Sequence, residues 1–335
     1  MRDGKFGVLA LQETHLTQRD VDVIHSLFGR RLKVLNSPDP INATAARGVA
    51  FVLNREIVDV KDFTLLEVVP GRALLLTLKW HAETKLSLLN IYAPNAGAEN
   101  ETFWQTLRTK SQEGEGLHPD VMLGDFNLVE EAIDRLPMRE GPEGPRTALS
   151  ELHTLLGLHD GWRVTEPSTR DYTFPQRPST TRSRIDRIYL GTELLSRSFE
   201  WDITSTGIPT DHRLVSVRLT NAAAPYLGKG RWTMPLAILA DQNFVAEVTT
   251  LGDAALRTAL DSTLPGLRSE TTNPQVILSE FKRAVKERAR KIQKTKVPKL
   301  QAAMQRLQRD MKTLQTDPAL DECPEKQLRV CAIQE

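Results

Sequence analysis

Short apolar runs, each ending against a turn or a polar residue, fill the first two-thirds of this chain and limit what it can fold into. Residues 6–11, 48–53, 73–78, 86–92, 121–123, 184–190 and 214–219 read as strands. Between them, residues 99–110 place Phe103, Trp104 and Leu107 on one helical face. Residues 147–157 place Leu149, Leu152, Leu155 and Leu156 at helical core spacing. Alternating strands and helices make this an α/β region reaching to about residue 220.

The character changes at Asn221-Ala-Ala-Ala-Pro225, which is followed by Gly228-Lys-Gly230 and then by helical patterns. Residues 275–297 and 299–316 read as helices separated by Pro298, which is expected to kink or break the run. In the second helix Leu300, Met304, Leu307, Met311 and Leu314 recur at three- and four-residue spacing, a coiled-coil-like stripe suited to core packing or to a helical protein partner through 299–316. Between Lys282 and Lys299 nine basic residues stand against the single acid Glu287. Such a block can attract phosphates, although the same pattern also describes a solvated helical face. The expected organisation is an α/β domain over 1–220 and an α-helical C-terminal extension over 221–335.

Composition narrows the class. With 40% hydrophobic and 26% charged residues among 335, the chain reads as a soluble protein of two domains or one domain with an appendage. No run of eighteen apolar residues predicts a membrane span, and the start, Met1-Arg-Asp-Gly-Lys5, does not read as a signal peptide. Cys323 and Cys331 lie together near the C-terminus and fit a reducing, intracellular setting. The formal net charge of +1 does not announce a polyanion ligand.

Chemistry-bearing side chains abut the strands. Glu13 follows the first run; Asp125 and Asn127 lie in Gly124-Asp-Phe-Asn; Asp186 lies in Arg184-Ile-Asp; Asp211-His212 precedes the last run. Hydrolysis of a phosphodiester needs a hard cation on carboxylate oxygens, a deprotonated water and donors around the phosphate. Neutral Asn127 and His212 can contact phosphate oxygens without adding negative charge. Taken singly, each element also reads as something plainer: a turn, a helix cap, a solvated edge residue or, for Tyr92, an aromatic closing the core.

In order, Leu11-Gln-Glu-Thr-His-Leu16, Asn90-Ile-Tyr-Ala-Pro-Asn95, Leu123-Gly-Asp-Phe-Asn127, Asp171-Tyr-Thr-Phe174, Ser183-Arg-Ile-Asp-Arg-Ile188 and Thr210-Asp-His212 resemble the endonuclease/exonuclease/phosphatase superfamily. The wording is most similar to the endonuclease domain of LINE-type (non-LTR) retrotransposons. This resemblance implies a four-layered α/β sandwich of DNase I-like fold, with a site at one end of two packed sheets. It implies that Glu13 binds a divalent metal, Mg²⁺ with Mn²⁺ as a substitute, and that Asp125 orients or deprotonates the attacking water. Asn127 and Tyr92 would hold the scissile phosphate, and Thr173 would contact it. Asp186 would support the site, Asp211 would bind metal or polarise His212, and His212 would stabilise the charged phosphorane. Asp134-Arg135 and Asp160-Gly-Trp-Arg163 also resemble the retrotransposon type, with a salt bridge and a packed tryptophan as their plainer readings.

The family's usual first strand, with its Asn and following helix, has no counterpart before the run at residue 6, so a truncated start with an exposed apolar edge is expected. The resulting expectation is a metal-dependent nuclease that nicks DNA, intracellular and nuclear, with no membrane association and no small-molecule cofactor. The alternatives are a phosphatase acting on small phosphoesters with the same fold and a catalytically degenerate binding or scaffold protein.

Overall fold

The computed structural model describes residues 5–81, 84–114, 116–175, 180–206, 208, 210–221, 232, 234–264 and 266–334. Residues 222–225 and 228–230, where the change of character was expected, lie outside the described residues, as do residues 1–4. The chain forms two compact units, Met1–Pro225 with Met311–Glu335, and Tyr226–Asp310.

In the first unit the elements run β1 (Val8–Gln12), α1 (Gln18–Phe28), β2 (Leu32–Ser37), β3 (Val49–Asn54), β4 (Phe63–Val69), β5 (Ala73–His81), β6 (Thr84–Tyr92), α2 (Gly97–Gln112), β7 (Val121–Asp125), β8 (Arg135–Leu136), α3 (Glu143–Leu156), β9 (Leu158–Asp160), α4 (Gly161–Thr165), β10 (Phe174–Pro175), β11 (Arg182–Ser183), β12 (Asp186–Gly191), α5 (Thr192–Ser196), β13 (Ser198–Thr204) and β14 (Leu214–Leu219). A six-stranded sheet has the order β4-β5-β6-β7-β12-β9; smaller sheets are β1-β3-β2, β13-β14 and β10-β11-β8. Only β6 and β7 pair in parallel in the large sheet.

Side-chain alternation stacks these elements into four layers. Along β5, Ala73 and Leu75 face a core shared with Phe103, Trp104 and Leu107 of α2 and Leu149 and Leu152 of α3. Leu74, Leu76 and Leu78 face the opposite core, shared with Val49, Phe51 and Leu53 of β3 and with Val215 and Val217 of β14. Ala50 and Val52 of β3 then meet Val21 and Ile24 of α1. The order is α2/α3, large sheet, smaller sheets, α1. Strands covered on both faces need no polar side, which is why β3 and β5 read as continuous apolar runs. Strand β1 pairs with β3 on one side, and all five of its residues are half-buried.

Beneath the start of β12 lies a buried ion cluster. Asp134, fully buried, receives Arg184 Nε at 2.8 Å, Arg187 Nη2 at 3.2 Å and Arg163. Asp160 takes Arg184 Nη1 at 2.7 Å, and the guanidinium groups of Arg163 and Arg184 each lie 5.0 Å from the Trp162 ring. Asp134 is therefore salt-bridged, to Arg163, Arg184 and Arg187 and not to its neighbour Arg135, and Trp162 is packed in the same network.

The last residues of the chain, grouped by sequence with the helical extension, pack into the first unit. Helix α9 (Pro324–Gln334) and the preceding turn bury Leu320 and Val330 against Leu136 and Tyr172. Asp321 accepts Arg170 Nη2 at 2.7 Å and the Met138 N–H at 2.9 Å. The second unit holds α6 (Leu236–Leu239), α7 (Gln242–Asp261) and most of α8 (Pro274–Gln315). Of the two expected outcomes, the break does not occur at Pro298; α8 runs through it for 42 residues. An internal proline costs a helix about 3 kcal/mol. That cost is borne because each flank has packing of its own: Val285, Ala289 and Ile292 against Phe244, and Met311 and Leu314 against the cluster of Leu320 and Val330. Of the expected stripe, Met304 and Leu307 are exposed.

Burial by itself would raise the pKa of Asp134, and Arg184, Arg187 and Arg163 more than offset it, holding the carboxyl well below the usual range. Its contribution to stability is complete above the unfolded pKa of about 3.9 and is lost as pH falls through the folded value. Asp134→Asn leaves three buried guanidinium groups short of a counter-charge and is expected to destabilise the first unit by about 3–5 kcal/mol at neutral pH. Urea unfolding checks this: the gap from wild type should narrow as pH drops below about 4.

Candidate active site

One row of residues crosses the end of the large sheet. Parallel pairing of β6 and β7 sets Tyr92 opposite Asp125, and antiparallel pairing of β12 with β7 sets Asp186 on the other side of Asp125. The strands must approach closely for this. At Gly124 (φ 138°) an added Cβ would lie 2.0 Å from the Ile91 carbonyl oxygen, so only glycine fits before Asp125. Beyond Asp125 the chain turns through Asn127 in the left-handed region (φ 47°), which asparagine tolerates. The Asn127 N–H donates to Asp125 Oδ1 at 2.9 Å, and its Nδ2 donates to the Ala93 carbonyl at 2.9 Å.

The smaller sheet brings Glu13, which follows β1 with φ 50°. It accepts the Tyr92 hydroxyl. Gln12 just before it donates to Asn90 Oδ1 at 2.6 Å, while Asn90 Nδ2 donates to the Leu11 and Ala50 carbonyls, tying the two sheets together behind the site. His212 arrives from the loop before β14. Its Nδ1 lies 2.9 Å from Asp186 Oδ2, and its ring packs against Phe174 at 4.7 Å between centroids.

Ligand atoms of Asp125, Asp186 and His212 all lie within 4.8 Å of one another. Glu13 stands beside this group through Tyr92, near enough for its charge to act on Asp125. Asp211 is exposed and outside the group, though its charge reaches His212. Thr173 is fully buried; its hydroxyl oxygen accepts the Ile185 and Asp186 N–H groups at 3.1 Å, so it holds the backbone that carries Asp186.

Crowded carboxylates set the electrostatics. Burial, then the charge of Asp186, push the Asp125 carboxyl up to about 8, with His212 opposing. Burial would lower His212, but its hydrogen bond to Asp186 and the charges of Asp186, Asp125 and Asp211 raise it to about 9. Burial and the hydrogen bond to Glu13 raise the Tyr92 hydroxyl far above its ordinary value, keeping it a neutral donor. The arrangement offers carboxylate oxygens for a cation, an imidazolium and neutral donors on one surface.

Two residues had no visible signal. Arg72 lies 5.3 Å from the Tyr92 ring centre and donates to the Tyr92 carbonyl at 3.0 Å, extending the row by one strand. Asn100, buried on α2, donates to the Pro94 and Phe126 carbonyls at 2.8 and 3.0 Å, bracing the loops after Tyr92 and Asp125. Spacing on a helix says only that Asn100 faces inward, and nothing in the sequence names the carbonyls it meets.

Comparison with known proteins agrees with this geometry. The chain is 29% identical over 252 residues, 74% of its length, to the Transposon TX1 uncharacterized 149 kDa protein of Xenopus laevis, and the match spans 18% of that relative. A 3' phosphatase from Neisseria, solved with a product DNA hairpin, superposes with a TM-score of 0.53 at 19% identity, covering 65% of this chain and 91% of that one. An AP endonuclease from Archaeoglobus fulgidus superposes with a TM-score of 0.52 at 20% identity over 65% of this chain and 90% of its own. These likenesses extend to the fold. Residues 2–212 match the Endonuclease/Exonuclease/phosphatase family, and the chain belongs to it.

Proposed function

We propose that the chain is a divalent-metal-dependent DNA endonuclease that nicks one strand by attack of an activated water on a phosphodiester. The observation that carries this reading is the gathering of Asp125, Asp186 and His212 within 4.8 Å at the strand ends, with Glu13 and Tyr92 beside them. DNA as the substrate is supported by the retrotransposon-type motifs and by similarity to a transposon protein, and a DNA substrate implies a nuclear place of action.

The donor set suits a hard cation. Carboxylates that raise one another's proton affinity are relieved by a divalent charge, and Mg²⁺ or Mn²⁺ takes oxygen ligands. Glu13 and Asp125 would hold it. His212 lies in the same group but takes a different task, because its Nδ1 is already taken up by Asp186. When bound, the cation supplies charge stabilisation at the phosphate and at the leaving oxygen.

The chain's own residues do the rest. Asp125 orients the water and accepts its proton as the new P–O bond forms and the bond to the leaving oxygen breaks. Asp186 holds His212 at Nδ1, which leaves Nε2–H to donate to a non-bridging phosphate oxygen as negative charge grows there. Asn127 Nδ2 keeps a second hydrogen beyond the one on the Ala93 carbonyl and would donate it to the phosphate; the Tyr92 hydroxyl, neutral, would join it only once its proton turns from Glu13. Thr173 keeps Asp186 in place, and Asp211 keeps His212 charged.

Nicking of supercoiled plasmid by the full chain tests the assignment. Mg²⁺ should support it and EDTA abolish it. Asp125→Ala and His212→Ala should each lower the rate at least about 100-fold with little change in thermal stability. Wild-type rates from either variant would sink the reading.

A second expectation follows from proton competition at Asp125. Below pH of about 8 the cation must displace a proton, so apparent Mg²⁺ affinity should weaken about tenfold for each pH unit between 8 and 6. Calorimetric titration without DNA measures this directly. Asp125→Asn should flatten the dependence, and a pH-independent wild-type affinity would count against Asp125 as a ligand.

A further inference from the structure

The second unit carries a charged surface that the site does not use. Within it, Val285, Ala289 and Ile292 of α8 recur at helical spacing and pack with Phe244 and Val248 of α7 and with Trp232 and Met234. That leaves the opposite side of α8 to Lys282, Lys286 and Lys294, with Arg283 alongside; Arg290 continues the four-residue spacing but lies over the Trp232 ring at 5.3 Å. All five are exposed. At 1.5 Å of rise per residue this stripe is about 18 Å long. Glu287 is the only acid between 282 and 299. Arg288 belongs elsewhere, since it pairs with Glu247 of α7.

The chemistry of the stripe selects its partner. The ring beside it, Trp232, is covered by Arg290 and hydrogen-bonded to Gln293, so the row reads charge and not sequence. The apolar side of this stretch of α8 is occupied by α7, so the helix has no such face there to insert among lipid chains, as an interfacial membrane helix must. What remains is a straight row of cations matched to a straight row of anions, and duplex DNA presents about one phosphate charge per 1.7 Å of axis.

We propose that this face of α8 binds the phosphate backbone of duplex DNA without sequence preference, giving the chain a second hold on DNA besides its active site. The choice of DNA over RNA rests on the function proposed above; the charge complementarity does not.

The test is fluorescence anisotropy of a labelled duplex of about 30 base pairs titrated with the full chain in EDTA, where cutting is not needed, across a range of NaCl concentrations. The comparison is a variant carrying Lys282→Gln, Arg283→Gln, Lys286→Gln and Lys294→Gln, all at exposed helical positions that glutamine tolerates. Its unfolding temperature should match wild type. Its DNA affinity should fall at least about tenfold, and its plot of log affinity against log salt should be shallower by about 3 to 4, near 0.9 for each lost phosphate contact. Unchanged affinity and slope overturn the proposal. So does wild-type binding that favours duplex RNA, or that goes to anionic phosphatidylserine vesicles in place of DNA. A chain that binds as expected in EDTA yet never nicks with Mg²⁺ removes the proposed function and leaves the surface standing.

Discussion

Asp134 is the point on which the site end of the first unit depends. Three guanidinium groups converge on its carboxylate, and two of them, Arg184 and Arg187, bracket Ile185-Asp186. A buried charge costs several kcal/mol unless it is paired, so these arginines stay in the interior only while Asp134 and Asp160 oppose them. The pairing is directional in a way that apolar contact is not. Slipping β12 by one residue along β7 would turn Asp186 to the other face and pull both arginines off their carboxylates. Apolar packing joins the sheets; the ion cluster fixes which residue of β12 stands beside Asp125.

Much of this was legible in the sequence. The strands at 73–78 and 214–219 announced themselves because their residues are apolar on the faces they bury, and the helix carrying Trp104 because its inward face is periodic. Helix α1 and strands β2, β4 and β13 left a weaker trace. Leu27, Leu65, Leu66 and Phe199 are exposed, so polar and apolar positions there do not separate cleanly. At the site, Gly124-Asp-Phe-Asn was readable since a strand approach that admits no Cβ forces glycine just before the acid. The place of Thr173 was not. A threonine that contacts phosphate and one that holds two backbone N–H groups look the same in one dimension. Arg72 and Asn100 were invisible for a similar reason, because their partners are backbone carbonyls, which carry no residue identity.

The end of the chain shows the limit of reading domains by composition. Residues after 311 continue the helical, charged character of what precedes them, yet Leu320 and Val330 bury against Tyr172 and Asp321 pairs with Arg170. Tyr172 belongs to Asp171-Tyr-Thr-Phe174, so the C-terminal segment packs on the stretch that also supplies Thr173 and the Phe174 ring beside His212. Composition reports helix or strand; it does not report which surface a helix returns to.

Division of labour between neutral and charged groups explains how such a site can be rigid and still electrostatically tense. Of the groups that lock the backbone around it, Thr173, Asn90 and Asn100 are neutral, and Arg72 on the Tyr92 carbonyl is the charged exception. A neutral donor or acceptor can fix a strand end without changing the charge of the acid it carries. Lysines or arginines doing this work beside Asp125 would have lowered its proton affinity. Arg163, Arg184 and Arg187 are instead held on Asp134 and Asp160, where their charge is already matched. Burial and Asp186 are then left to set the state of Asp125, and Asp186 in turn to set that of His212. An acid high enough to hold a proton and an imidazole high enough to keep one can thus stand within 4.8 Å of one another.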